Sequence, residues 1–292
     1  MTEARGETLR AFDAGKVVWK EILRNALLMI LRKVRRDQDE VQAEYDLGYW
    51  KAVLDQKRWL YVSDLDEFLN PPTDEMRIAK IDNRYVRIRT QDYYRCRALM
   101  LQSVIAEFAG EDEELVELGC GFGQNLFSLL AAKSWKRLIG LEVSEKALEA
   151  GKQISRHFHL QDTVHFDRLD LTDGAHDNFK KITGKTVFTY YCLEQLKDST
   201  EPVIANIIRA APRRVIHIEP TTEMLKLWSP KDLASYLYII RQDYQNNLLR
   251  TLRRCERKGE IKIVEVRRLY YAPTIRHDPT LICWEPVKSV ES

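Results

Sequence analysis

The chain has 292 residues, 46 Lys and Arg against 44 Asp and Glu, a net charge of +2 and an apolar fraction of 45%. That length predicts one or two domains, and the balanced charge leaves no electrostatic footprint for nucleic acid. Five cysteines (Cys96, Cys120, Cys192, Cys255, Cys283) are scattered without CxxC spacing, which fits a reduced cytoplasmic protein and disfavours a disulfide framework or a zinc site. No secretory leader is read at the N-terminus, and no apolar run approaches the length that crosses a bilayer.

In chain order, Val17 to Val34 predicts a helix. Trp19, Ile22, Leu23, Ala26, Leu27, Ile30, Leu31 and Val34 recur at three and four, while Lys16, Lys20, Arg24, Arg32, Lys33, Arg35 and Arg36 crowd the same stretch. A basic amphipathic helix over residues 16–36 can lie on an anionic membrane surface. The commoner use of such a helix is to pack on its own domain or on a second copy in a homodimer. Asp46 to Phe68 is aromatic-rich (Tyr49, Trp50, Trp59, Tyr61, Phe68) and predicts a second helix and a turn closed by Asn70-Pro71-Pro72. Met76 to Ile81 and Arg84 to Arg89 read as strands around the turn pair Asp82-Asn83. Asp92 to Ala109 reads as a helix, and the acidic run Glu111 to Glu114 separates it from the first core strand. Residues 1–91 therefore form a mainly helical N-terminal region, and 92–292 a second unit.

The core of the second unit opens on Leu115-Val116-Glu117-Leu118-Gly119-Cys120-Gly121-Phe122-Gly123-Gln124-Asn125. The apolar run is a buried strand, the alternate glycines a tight turn, and Leu126 to Ala132 a helix start. Glycine lets a ligand approach the main chain closely, and free N–H groups at a helix start favour negative charge. This describes a nucleotide-type pocket at the carboxyl end of a parallel sheet. The spacing is neither G-x-G-x-x-G nor a phosphate loop ending in Gly-Lys-Ser/Thr. Four more strands come after it: Arg137 to Val143 ending at the acid Glu142, Val164 to Leu171 ending at Asp170, Thr186 to Tyr191, and Arg214 to Glu219 stopped by Pro220. Helical patterns between most of them give a doubly wound α/β sheet. Pro230 to about Lys258 reads as one long helix stopped by Gly259, and Ile261 to Tyr271 as a sixth strand. Asp278-Pro279-Thr280 then turns the chain into Leu281 to Glu285.

From about Glu113 to Pro286 the chain resembles the class I S-adenosylmethionine-dependent methyltransferases, through the Glu-x-Gly-x-Gly-x-Gly turn and the acids ending the next two strands. The resemblance implies a Rossmann-like seven-stranded sheet with an antiparallel last strand, and an N-terminal helical lid or dimerisation element. It makes S-adenosyl-L-methionine the cofactor, held by Glu117, Gly119, Gly121, Gly123, Gln124, Asn125, Glu142, Val143, Asp170 and Leu171. Glu142 would accept from the ribose hydroxyls, a role that suits a carboxylate. Asp170 would accept from the adenine amino group, with the Leu171 backbone facing the ring, and the amides of Gln124 and Asn125 would meet the amino-acid part. Taken singly, Glu142 is equally a solvated strand end, and Asp170 or Asn125 a helix cap.

Candidates for chemistry stand where strands end: Tyr190, Tyr191, His217 and Glu219. His217 titrates near neutrality and would serve as base, with Glu219 on the same face to orient it. The plain alternatives are a hydrogen-bonded core histidine and packed tyrosines. His277 reads as a turn residue, and His157 and His159 lack the acidic partners of a metal site. The segments Ile216 to Pro220, Asp243 to Leu248 and Pro279 to Trp284 look similar to bacterial sugar or secondary-metabolite O-methyltransferases. A small-molecule acceptor is expected and a nucleic acid is not, since no Asn-Pro-Pro-Tyr motif comes after the fourth strand. Two alternatives stand beside this reading. One is attack on, or cyclisation of, the aminocarboxypropyl arm with release of methylthioadenosine. The other is a non-catalytic protein docking through its basic helix.

Overall fold

A computed structural model describes residues 6–31, 45–110, 113–130, 134–272 and 277–287. Its centre is a seven-stranded sheet of β4 (Glu114–Leu118), β5 (Arg137–Glu142), β6 (Val164–Arg168), β7 (Thr186–Tyr190), β8 (Arg214–Pro220), β9 (Ile261–Arg268) and β11 (Pro279–Pro286). The spatial order is β6-β5-β4-β7-β8-β11-β9. Strands β4 to β8 pair in parallel, and β11 runs antiparallel to both β8 and β9. The seven-stranded sheet with its antiparallel last strand is as expected. Its central strands are buried on both faces, as a covered parallel sheet requires. Leu115, Phe188 and Ile216 belong to one core layer, and Val116, Val187 and Val215 to the other.

The helices of this unit are α4 (Thr90–Phe108), α5 (Gln124–Leu130), α6 (Glu145–His157), α7 (Thr200–Arg209), α8 (Pro230–Arg241) and α9 (Leu248–Arg257). The single helix expected over residues 230–258 is thus two. Asp243 takes a left-handed φ of 58°, and the buried Gln245 occupies the break. Its Oε1 accepts from Asn247 N at 3.2 Å and Leu248 N at 3.1 Å, while its Nε2 donates to Pro220 O at 3.0 Å. The amide thus satisfies two N–H groups at the start of α9 and ties it to β8.

A second, four-stranded sheet has the order β1-β3-β2-β10, from β1 (Glu7–Thr8), β2 (Met76–Ile81), β3 (Arg84–Arg89) and β10 (Tyr271–Ala272). The strand expected over 261–271 ends at Arg268. Tyr270 turns the chain at φ 45°, and Tyr271 pairs with Ile81 of the small sheet. Between the sheets lies a buried ionic cluster. Lys80 Nζ is 2.6 Å from Asp278 Oδ2, and Arg268 meets Asp278 at 2.7 Å and Asp232 at 2.8 Å. The cluster joins β2, β9, α8 and the approach to β11.

In the N-terminal region, α1 (Ala11–Leu31) seats Val18 and Ile22 in a core with Ala234 of α8, and its Asn25 accepts from Arg241 at 2.8 Å. The expected continuation to Val34, with Arg32, Lys33, Arg35 and Arg36, lies outside the described residues, as do Glu111, Asp112, Ala131 and Ala132. Residues 45–69 hold short pieces where one helix and a turn were expected: a π-turn over Tyr45–Trp50, α2 (Lys51–Gln56), a 3₁₀ turn over Arg58–Tyr61 and α3 (Leu65–Leu69). Lys57 ends α2 in a left-handed conformation at φ 44°, which closes off further helix. Among the described residues no helix is long and apolar enough to cross a membrane.

Removing one partner from a buried ion pair leaves the other charge poorly compensated. Lys80→Met is therefore expected to lower the unfolding free energy by about 3 kcal/mol, read from the urea midpoint at unchanged slope.

Candidate active site

The register brings the expected binding residues to neighbouring strand ends. Leu118 is level with Leu141, and Glu142 with Arg168. The turn is fixed by Gly119 N donating to Leu141 O at 2.8 Å and Gly123 N to Cys120 O at 2.9 Å. Gly119, Gly121 and Gly123 all have positive φ, at 68°, 54° and 89°, where a side chain is strained. Each also lacks room. A Cβ on Gly119 would overlap Cys192 Sγ, one on Gly121 would stand 2.5 Å from the Trp50 ring, and one on Gly123 2.6 Å from Phe166.

Glu142 is buried at the end of β5. Its Oε1 accepts from Val143 N at 2.8 Å and Ser144 N at 3.0 Å, and its Oε2 from Gly121 N at 2.9 Å. A carboxylate has about four acceptor sites, so three main-chain donors aim it and leave one site. Burial raises its pKa, and these N–H bonds oppose the rise. Ser144 caps α6 by accepting from Ala147 N at 3.2 Å and donates its hydroxyl to Asp46. Lys146 Nζ donates to Asp46 O at 3.2 Å. The N-terminal region is thus docked beside Glu142 by Asp46 and over the glycine turn by Trp50.

One residue before the end of β4, Glu117 is fully buried. Its Oε1 accepts from Asn125 Nδ2 at 2.5 Å, and its Oε2 has no hydrogen-bond partner. Burial pushes its pKa up to about 8, against the opposing effects of the Asn125 bond and the nearby Arg97 charge. Arg97, on α4, donates to Asn125 Oδ1 and, through Nε, to the Tyr190 hydroxyl at 3.2 Å, with its guanidinium 4.8 Å from the Tyr190 ring centroid. Tyr190, Arg97, Asn125 and Glu117 therefore form one chain. Arg97 is invisible to sequence reasoning because one arginine on a mixed helix carries no spacing signal.

Asp170 lies just past β6. Its Oδ1 accepts from the Thr172 amide at 2.8 Å and hydroxyl at 2.7 Å, an Asx-type turn. Leu171 is buried, and its carbonyl accepts from Asn206 at 3.0 Å. Gln124 and Asn125 open α5, and the Ser128 hydroxyl donates to Gln124 O at 2.8 Å.

His217 sits in the opposite core layer from Glu117, 6.1 Å from the Trp284 ring, with Nδ1 3.0 Å from the Thr189 hydroxyl. Burial depresses its pKa to about 3, so this ring stays neutral and binds protons weakly. Glu219 shares that face but does not reach the ring in a hydrogen bond. Its Oε1 accepts from Cys192 N at 3.0 Å and Leu193 N at 3.1 Å, and burial, with Glu194 nearby, pushes its pKa up to about 8. Glu219 thus holds the loop after β7 against Gly119. Tyr191 points its hydroxyl at His277 O, 3.4 Å away.

His277, which reads from sequence as a turn residue, stands next to this loop. Its Nε2 is 3.4 Å from Glu194 Oε2, and its Nδ1 has no hydrogen-bond partner. Tyr238 stacks on the ring at 5.0 Å, and Tyr191 meets it edge-on at 5.4 Å. Both His277 and Glu194 are buried. Among the described residues no group of three or more His, Cys, Asp or Glu is arranged to hold a metal ion.

No family model matches the sequence, and no curated protein matches it. Solved structures do match. One is the [4+2]-cyclase SpnF, at 13% identity and a TM-score of 0.56 over 87% of this chain and 98% of that one. Another is magnesium protoporphyrin IX methyltransferase from Synechocystis PCC 6803 with bound S-adenosylmethionine, at 13% identity and 0.52 over 88% and 100%. A third is geranyl diphosphate C-methyltransferase from Streptomyces coelicolor A3(2), at 14% identity and 0.50 over 82% and 98%. At such identities the likeness establishes architecture, and the chain has the fold of the class I S-adenosylmethionine-dependent methyltransferases.

Proposed function

We propose that this chain is an S-adenosylmethionine-dependent methyltransferase acting on a small molecule, with a hydroxyl of a sugar or secondary metabolite as the acceptor. The observation that carries the reading is the split charge behind the glycine turn. Arg97 and Glu117, joined through Asn125, offer a cation and a carboxylate to the two ends of an amino acid, and Glu117 Oε2 is buried with no partner of its own. Glu142 keeps one acceptor site for a ribose hydroxyl, and Asp170 with Leu171 stands at the next strand end for the base. The cofactor supplies a methyl group on a positively charged sulfur. Residues 45–69 serve as the lid: Trp50 covers the turn, and the aromatic lining around Tyr190 and Tyr191 suits a sulfonium.

For a hydroxyl acceptor a base is needed, and the chain offers His277 rather than His217 for that part. With a proton on Nε2, 3.4 Å from Glu194 Oε2, the lone pair stands on Nδ1, and the nearby carboxylate stabilises the imidazolium that forms when the acceptor proton arrives. Glu219 and the tyrosines position the loop between this pair and the glycine turn. Methyl transfer then needs an acceptor held about 3 Å from the methyl carbon, in line with the breaking bond.

Incubation of the protein with S-adenosylmethionine and a panel of hydroxylated acceptors, followed by mass spectrometry, is expected to yield adenosylhomocysteine. Methylthioadenosine instead would move the reaction to the aminocarboxypropyl arm, and calorimetry without heat for either nucleoside would end the cofactor assignment. Glu142→Ala is expected to weaken cofactor binding about tenfold or more, the loss of one charge-assisted hydrogen bond and of the turn's shape.

Glu117 provides a proton-linked check. Its raised pKa keeps the free carboxyl largely protonated near neutral pH, and an ammonium placed against Oε2 favours the ionised form, so binding releases a proton. Titration calorimetry near neutral pH in two buffers of different ionisation enthalpy is expected to show roughly one proton released per cofactor. Glu117→Gln should abolish that release; an unchanged release in this variant removes Glu117 from the site.

His277→Gln is expected to lower kcat by about 10²–10⁴-fold with cofactor affinity intact. A conservative change at His217 should instead act on stability, leaving kcat near the wild-type value.

A further inference from the structure

Helix α1 is apolar on two opposite sides. One side, with Val18, Ile22 and Asn25, is buried against α8 and the small sheet. The other presents the row Phe12, Lys16, Trp19, Leu23, Leu27 and Ile30, spaced by three and four residues. Its exposures include 73% for Phe12, 66% for Leu23 and 82% for Ile30. A helix apolar all round is expected to be covered all round, and contiguous exposed apolar patches mark interaction surfaces. A second exposed aromatic lies next in sequence to residues that meet the helix. Trp228, 81% exposed, precedes Ser229 and Pro230, which line one hollow together with Trp19.

Charge decides what covers it. Lys16 stands inside the apolar row, its Nζ 4.1 Å from the Phe12 ring centroid. Lys20 flanks the row, and Lys226 lies 5.7 Å from the Trp228 ring. Of the acids on α1, Asp13 is exposed and Glu21 is buried and bonded to Arg24 at 2.9 Å. In the sequence, Leu31 is followed by Arg32-Lys33-Val34-Arg35-Arg36. In a contact with a second copy, Lys16 would be buried among apolar side chains and faced by the same basic surface, an arrangement with an unpaired buried charge. At a lipid surface the same lysine bends its ammonium to the headgroups while its stem stays apolar. Tryptophans at the rim suit the headgroup level.

We propose that the exposed face of α1, with Trp228 beside it, lies on an anionic membrane surface, its apolar row in the acyl boundary and its lysines on the headgroup phosphates and carboxylates. The attachment is peripheral and independent of the reaction assigned to the pocket.

Sedimentation of the full-length protein with vesicles tests this. Binding is expected to phosphatidylcholine vesicles containing phosphatidylserine, to weaken with salt, and to be at least about tenfold weaker on phosphatidylcholine alone. Lys16→Glu with Lys20→Glu, and separately Leu23→Glu with Leu27→Glu, should each cut partitioning about tenfold or more while melting temperature and circular dichroism hold, because these side chains are exposed. No binding to anionic vesicles overturns the proposal. So does binding that survives the Leu23→Glu, Leu27→Glu change. Sedimentation velocity showing a dimer that this change dissociates, with no vesicle binding, assigns the face to a second copy instead.

Discussion

Gly119 has no space for a side chain, and much of the site depends on that. The loop after β7 closes to van der Waals distance on the turn, with Cys192 filling the volume that a Cβ would take. Glu219 then holds Cys192 and Leu193 from below through their amides. Gly121 receives the Trp50 ring from the N-terminal region, and Gly123 receives Phe166 from β6. Three glycines of one turn thus meet three different elements. The turn is the point where strand, loop and N-terminal region are brought into register, and each glycine is required by a contact as well as by its φ.

Buried carboxylates around this turn differ in how they are satisfied, and the difference separates structure from chemistry. Glu142 has three main-chain donors, so its orientation is set before any ligand arrives. Glu219 spends Oε1 on two amides, with its Oε2 buried and without a hydrogen-bond partner, and acts as a clamp. Glu117 is the least satisfied, with one side-chain donor on Oε1 and none on Oε2. Leaving a carboxylate oxygen buried and unpaired is costly, and Glu117 differs from Glu219 in having a single side-chain donor in all, next to the Asn125–Arg97 pair. The Lys80–Asp278–Arg268–Asp232 cluster is different in kind. There cations and carboxylates are matched within the protein, and its service is to join the two sheets.

The parallel strands were legible because each is a short apolar run and most are closed by an acid or a proline, and a strand buried on both faces needs little else. Antiparallel β11 came from family resemblance and not from periodicity. The breaks were harder. Nothing local marks residues 242–247 as the end of one helix, because Gln245 acts by reaching β8 and the start of α9. Tyr271 leaves the sheet for a partner far away in sequence, at Ile81. The site shows the same limit. Glycines and strand-end acids announce themselves by position, whereas Arg97 and the His277–Glu194 pair gain meaning only when the fold brings α4, the loop after β7 and the approach to β11 together. His217 shows the limit from the other side: its strand-end position fits a base or a core histidine equally, and only the fold shows its ring buried beside Thr189 and Trp284 in the layer opposite Glu117.

The pieces between Tyr45 and Leu69 are each six residues or fewer, well below the length at which an isolated helix holds itself together. Their order must come from what they touch. Trp50 and Phe68 both meet Phe122 of the turn, at 6.0 and 6.3 Å between ring centroids, Phe68 reaches Phe158 at 5.9 Å, and Asp46 is tied to Ser144 and Lys146. These contacts all lie on the turn, on α6 or at its ends. Residues 45–69 and the turn therefore stabilise one another: the short pieces are ordered by the turn and helix they touch, and Trp50 and Phe68 pack over Phe122 of the turn. Such reciprocal dependence places residues 45–69 among the less independently stable parts of the fold, while the seven-stranded sheet holds together through its own buried layers.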